Sequence, residues 1–179
     1  MFYTILDDLI LYQMLYFFKK YSNYELKLHR YFYEKTQIDP TYITVVKIED
    51  IEYIFFFIKK ESYLEARAYL NLIRKEFRRR IFNNKQNNKK VIIIKVDYVF
   101  IQQVFNFFPD LNIYDIQIKP NDYLGLYEIS VLFLKDLNIF HVAVGRNGGY
   151  IKAINALFEE NINFENRDTP VKIKCSVIS

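Results

Sequence analysis

Three of the four glycines in this 179-residue chain fall within five positions, at Gly145, Gly148 and Gly149 in the segment Val142 to Asn155. Glycine has no Cβ, so Gly145 and Gly148 let the backbone turn tightly and approach another backbone. Between them, Arg146 and Asn147 offer donors suited to phosphate and sugar oxygens. Lys152, one helical turn further on, can reach the same anion. The chemistry indicated is the holding of a polynucleotide backbone, and little else in the chain competes with it. His29 and His141 are far apart and in no metal-ligand spacing, and the adjacent carboxylates Asp7 with Asp8 and Glu159 with Glu160 diverge on a helix. The glycine loop lacks the Lys-Ser/Thr ending of a phosphate-binding P-loop and the spacing of a dinucleotide fingerprint. Neither an enzyme, a metal nor a cofactor is expected.

The flanking segments must deliver the chain into that turn and away from it. Ile139, Phe140, Val142, Ala143 and Val144 suit a short buried helix before Gly145. After Gly149, Ile151, Ile154, Leu157 and Phe158 recur at helical spacing, with Lys152, Asn155, Glu159 and Glu160 on the other face. Upstream, Phe100 to Phe108 reads as a helix ending at Pro109. Ile113 to Lys119 alternates as a strand, Asn121, Asp122 and Gly125 mark a turn, and Tyr127 to Leu134 is a strongly apolar strand. At the end, Val171, Ile173, Cys175 and Val177 alternate with Lys172, Lys174 and Ser176, a half-buried strand with a basic outer face. The expected order is helix, strand, strand, helix, G-x-x-G, helix, strand.

That order and its loop resemble the type II KH domain, and within that group the chain is most similar to the KH module of NusA transcription factors. Two stretches carry the resemblance. VFNFFPDLNIYDIQIKP resembles the segment in which a helix ends in a proline-containing turn before a strand, and VAVGRNGGYIKAINAL resembles the G-x-x-G helix pair. The likeness covers roughly residues 91–179 and implies an RNA-binding domain. It implies that Gly145, Arg146, Asn147 and Gly148 clamp about four nucleotides of single-stranded RNA, extended by Lys152. The RNA would be nascent transcript, and RNA polymerase a protein partner, with a role in transcription elongation, termination or antitermination. The KH-bearing protein of the small ribosomal subunit shares the same order and is the alternative. The groove would lie between the two helices and the last strand, floored by Val144, Ile151 and Ile154, with Lys172 and Lys174 near its edge. Replacing Gly145 and Gly148 by Asp should then remove RNA binding without unfolding the chain.

The net charge of +4 conceals a sharper pattern. Residues 66 to 95 hold ten Lys or Arg against one acid, Glu76, whereas the stretches on either side are net acidic. A helix from about Ser62 to Phe82, capped by Ser62, would bury Leu64, Ala68, Leu72 and Phe77 and display much of this charge outward, with Arg78, Arg79 and Arg80 as candidate RNA contacts. Such a patch would hold phosphates with strong salt dependence and no sequence preference.

With 51% hydrophobic residues the chain is long enough for one or two packed cores. The fold class expected is α+β, with an N-terminal α/β region over residues 1–90 and the KH domain over 91–179. In the first region, helical patterns at Phe2 to Tyr21 and Tyr24 to Lys35 precede β-rich runs at Tyr42 to Ile48 and Glu52 to Ile58, and no internal repeat is visible. The longest early apolar run, Leu9 to Phe18, is shorter than the roughly 20 residues that cross a bilayer, so no membrane partner is expected. With a single cysteine, Cys175, there is no intrachain disulfide. The start of the chain has neither a secretory signal nor an import peptide pattern. The 17 Phe and 16 Tyr, with abundant Ile, Asn and Lys and no Trp, are residue types favoured by AT-rich codons. They point to a plastid gene product acting in the chloroplast stroma, with a mitochondrial or cytoplasmic protein as the alternatives.

Overall fold

The computed structural model describes residues 10–18, 20–78, 88–134, 137–165 and 170–178. The fold is α+β, in two compact units. One spans residues 19–97; the other joins residues 1–18 to 98–179. The boundary expected near residue 90 therefore lies at 97, because a strand over Asn88–Lys95 pairs along its whole length with the first unit.

In the 19–97 unit, helix α1 (Asn23–Thr36) opens on a capping box. Ser22 Oγ accepts from the Glu25 amide, and the Glu25 carboxylate accepts from the Ser22 amide. The second Glu25 oxygen accepts from the Val45 amide at 3.1 Å and ties the helix to the sheet. Strands β2 (Tyr42–Ile48) and β3 (Ile51–Ile58) form an antiparallel hairpin. A 3-10 turn at Lys60–Ser62 leads into helices α2 (Tyr63–Ala68) and α3 (Leu70–Arg78), and β4 (Asn88–Lys95) returns parallel to β3. Leu28 and Phe32 of α1, Ile54, Phe56 and Ile58 of β3, and Ile73 and Phe77 of α3 close one core.

The basic helix differs from expectation. It breaks at Tyr69, Ser62 makes no side-chain cap, and the face it buries is Tyr63, Ala66, Ile73 and Phe77. Leu64, Ala68 and Leu72 are exposed instead. The stretch is apolar on two faces, so periodicity alone cannot say which one the sheet takes. Arg79 and Arg80 lie outside the described residues.

In the second unit Ile10 and Leu11 are helical, and β1 (Leu15–Phe17) follows, antiparallel to β7 (Ile162–Phe164). The helix expected over Phe2 to Tyr21 is thus a strand at this point. Leu15 and Phe17 face inward while Met14, Tyr16 and Phe18 face outward, a period of two within a run so apolar that it also satisfies a helical pattern. Helix α4 (Phe100–Asn106) precedes the antiparallel pair β5 (Ile113–Asn121) and β6 (Leu126–Leu134). Helices α5 (Leu137–Val144) and α6 (Gly149–Glu160) follow, and β8 (Val171–Ile178) pairs parallel to β6. Phe100 packs edge-on against Phe158 and Phe164, with Phe107 also against Phe158, so α4, α6 and β7 share an aromatic core.

The two units repeat one topology. Each sheet has its middle strand antiparallel to the strand before it and parallel to the strand that follows a helical crossover, in the orders β2-β3-β4 and β5-β6-β8. A repeat that the sequence hides is plain in the strand pairing. Among the described residues no helix is long and apolar enough to cross a membrane.

Asn155 joins α6 to the outer edge of β8. Its side-chain amide donates to the Ile173 carbonyl at 2.9 Å and accepts from the Ile173 amide at 2.7 Å, as a neighbouring strand would. Helical spacing alone places Asn155 on the solvent face, so this role is a finding of the fold. Asn155→Ala should cost about 2–3 kcal/mol in urea denaturation, since it removes both bonds and leaves the peptide groups of buried Ile173 without those partners.

Candidate nucleic-acid interface

Helix α5 ends where the Gly145 amide donates to the His141 carbonyl at 2.9 Å. Gly145 then takes φ 73° and ψ 171°, a conformation almost confined to glycine. A second constraint is steric. A Cβ on Gly145 would sit 2.7 Å from the Tyr150 Cβ and 2.9 Å from the Tyr150 nitrogen, closer than real Cβ atoms approach. Arg146–Gly148 make a 3-10 turn in which Asn147 (φ 53°, ψ 28°) and Gly148 (φ 70°, ψ 14°) are both left-handed. The Gly148 amide closes the turn on the Gly145 carbonyl at 3.0 Å. Asparagine tolerates that region better than most residues, which accounts for its place beside a glycine.

The base of the turn is fixed by Tyr150. Its hydroxyl donates to the Phe107 carbonyl at 2.6 Å, and its ring meets Phe108 edge-on, which in turn meets Phe133 of β6. The tip, by contrast, faces solvent: Arg146, Asn147 and Lys152 are exposed, and Gly145 and Gly148 are partly so. Two cations and the Asn147 amide therefore flank a stretch of chain with little side-chain bulk, at the positive end of the α6 dipole.

Of the predicted site residues, the structure brings together Gly145, Arg146, Asn147, Gly148 and Lys152. Lys172 and Lys174 are placed elsewhere. On β8 they alternate with Ile173, which faces the helices together with Ile129, Val131 and Phe133, so both lysines point to the opposite face of the sheet. Lys174 Nζ also lies 2.7 Å from Glu128 Oε1. Hydrogen bonds from Lys174 and then Asn121 hold the Glu128 carboxyl below its usual range. Of the expected groove floor, Val144 and Ile151 are half-buried, but Ile154 is wholly inside the core and cannot line a groove. Cys175 is half-buried, and burial pushes its thiol up to about 12.

In the 19–97 unit, the basic segment is partly committed to its own fold. Arg74 Nε donates to the Val91 carbonyl at 3.2 Å. Lys89 lies 3.4 Å from Glu52 and donates to the Tyr24 hydroxyl at 2.8 Å, and Lys90 sits over the Tyr53 ring. Lys75 and Arg78 are exposed. Among the described residues no three of His, Cys, Asp and Glu gather as metal ligands would.

No protein-family model matches this chain, and no curated protein matches it by sequence. Among solved structures it is similar to the crystal structure of APE1850, with a TM-score of 0.54 at 15% identity, over 86% of this chain and 100% of that one. At that identity the likeness is one of fold.

The sequence does not reveal that Gly145 and Gly148 have different jobs. Gly145 is required by packing as well as by φ, so an Asp there would disturb the meeting of α5 and α6 and could not report on binding alone. A Cβ on Gly148 would meet nothing closer than Ile151 Cγ2 at 4.0 Å. Gly145→Ala should destabilise the chain by about 3 kcal/mol, and Gly148→Ala by about 1 kcal/mol, both read from urea midpoints.

Proposed function

We propose that this protein binds single-stranded RNA through the Gly145–Gly148 turn as a type II KH module, in the manner of the NusA-like factors its sequence resembles. The observation that carries the reading is the division of the turn into an anchored base and an exposed tip. Its backbone is shaped by residues beneath it, while Arg146 and Asn147 are left to solvent. A sugar-phosphate chain could lie against the tip, with Arg146 and Asn147 donating to phosphate oxygens and Lys152 adding attraction. The order α4, β5, β6, α5, turn, α6, β8, with the short β7 inserted before β8 and with a mixed three-stranded sheet, supports the same reading.

The 19–97 unit has no counterpart of the turn among its described residues. Its helical crossover passes Tyr69 in the right-handed region (φ −82°, ψ −8°) with no glycine. Its contribution to RNA binding is then electrostatic, through the exposed Arg78 and through Arg79 and Arg80, which follow it in the sequence. We place the RNA as nascent transcript, the partner as RNA polymerase, and the site of action in a plastid. Co-fractionation with polymerase would support that assignment, and sedimentation with the small ribosomal subunit through high salt would refute it.

Arg146→Asp with Asn147→Asp should lower affinity for a single-stranded oligoribonucleotide by at least about tenfold, with the melting curve unchanged because both side chains are exposed. Undiminished affinity would reject the turn as the RNA site. Replacing Arg78, Arg79 and Arg80 by Ala should flatten the slope of log affinity against log salt by about 0.7 for each phosphate that is no longer neutralised. An unaltered slope would exclude that segment from the interface.

A further inference from the structure

The stripe that α2 and α3 leave uncovered has an internal symmetry. Glu61, Leu64, Ala68, Leu72 and Lys75 are all exposed, Leu64 at 77% and Leu72 at 46%. Counted from Ala68, Leu64, Leu72 and Lys75 stand at −4, +4 and +7, offsets that on a helix of 3.6 residues per turn share one face within about 80°, and Glu61, in the 3-10 turn before α2, stands at −7. The break at Tyr69 stays right-handed, and the Ile73 amide still donates to the Tyr69 carbonyl at 2.9 Å, so the face runs on across it. The opposite face of the same segment, carrying Ala66, Ile73 and Phe77, is already in the core. Leu64 and Leu72 therefore form a second apolar face, with a small residue between them and opposite charges at its two ends.

We propose that this stripe is a self-association surface on which a second copy of the chain docks antiparallel, about a two-fold axis at Ala68. Reversing the stripe sets Leu64 against the Leu72 of the other copy, Ala68 against Ala68, and Glu61 against Lys75, each pairing made twice as a two-fold interface requires. The small central residue lets the helices approach closely. The charge pattern selects this occupant. A partner of uniform sign, an RNA strand or an acidic helix, would be attracted at the Lys75 end and repelled at the Glu61 end, whereas an inverted copy is attracted at both. Acids early and bases late in a helix are the arrangement its dipole favours, and that same asymmetry makes the stripe complementary to itself. Two leucines per copy make a small interface, so the dimer is weak, with a Kd on the order of 10–100 µM.

Sedimentation velocity of the full chain between about 5 and 500 µM should show a monomer–dimer equilibrium in that range. Leu64→Gln with Leu72→Gln should weaken it at least about tenfold without shifting the thermal melt, since neither side chain is in the core. Glu61→Lys and Lys75→Glu should each weaken it, and the two together should restore it. With Cys175→Ser in the background, Ala68→Cys should oxidise to a linked dimer, while Tyr33→Cys, exposed on α1, should not. A chain monomeric throughout, a dimer indifferent to the leucine pair, or no rescue by the double charge reversal would each overturn the proposal. It would also fall if the leucine variant lost affinity for a single-stranded oligoribonucleotide while the wild type stayed monomeric, for the stripe would then belong to RNA.

Discussion

Two helices meet in this protein at a point where there is no room for a methyl group. The missing Cβ of Gly145 would stand 2.7 Å from the Cβ of Tyr150, so α5 can run into α6 by this path only with glycine at the corner. Tyr150 cannot easily yield, because its hydroxyl is bonded to Phe107 and its ring is wedged on Phe108. Through Phe108 the constraint reaches Phe133 in the middle strand, and through Asn155 the same helix is fastened to the edge of β8. The exposure of Arg146 and Asn147 follows from this. A turn fixed from below needs nothing of its tip, and the tip is left to solvent.

The two units build the same sheet and differ in what joins the crossover helices. In one, a glycine turn makes a corner; in the other, a single right-handed residue, Tyr69, makes a kink. In the 19–97 unit α1 and the crossover are also tied by charge. Glu76 of α3 accepts from the Tyr31 hydroxyl at 2.5 Å and pairs with Lys35, both on α1, and burial followed by this carboxylate pushes the Tyr31 phenol up. Lys89 is held by Glu52 and Tyr24. The basic segment thus serves its own unit as well as presenting charge, and its net charge in the sequence overstates what a polyanion would meet.

Elements with one clear period are legible in the sequence. The helix at 23–36, the hairpin at 42–58, and from Phe100 onward the helices and strands other than β7 stand close to where periodicity and turn residues put them; β7 has no expectation in the sequence. Segments that satisfy two patterns are not legible in this way. Residues 10–18 are apolar enough for either a helix or a strand; Ile10 and Leu11 are helical, and pairing with the distant Ile162–Phe164 makes Leu15–Phe17 a strand. Leu64, Ala68 and Leu72 form as good an apolar face as the one the core adopts. The repeat is hidden because a shared sheet topology imposes no shared residues beyond apolar alternation, and the three clustered glycines, the most visible landmark, occur in one copy alone.

That a glycine turn lies between two helices, with Arg146, Asn147 and Lys152 around it, follows from the residues in order along the chain, because conformational freedom and charge belong to residue types at set spacings. Which lysines accompany the turn does not follow from that order. Lys172 and Lys174 are recommended by the groove that the resemblance implies, although their alternation with Val171, Ile173 and Cys175 already puts them on the outer face of the strand. The side that packs on the helices, set by Ile173 against Ile129, sends both lysines the other way, and no reading of neighbours along the chain contains that packing.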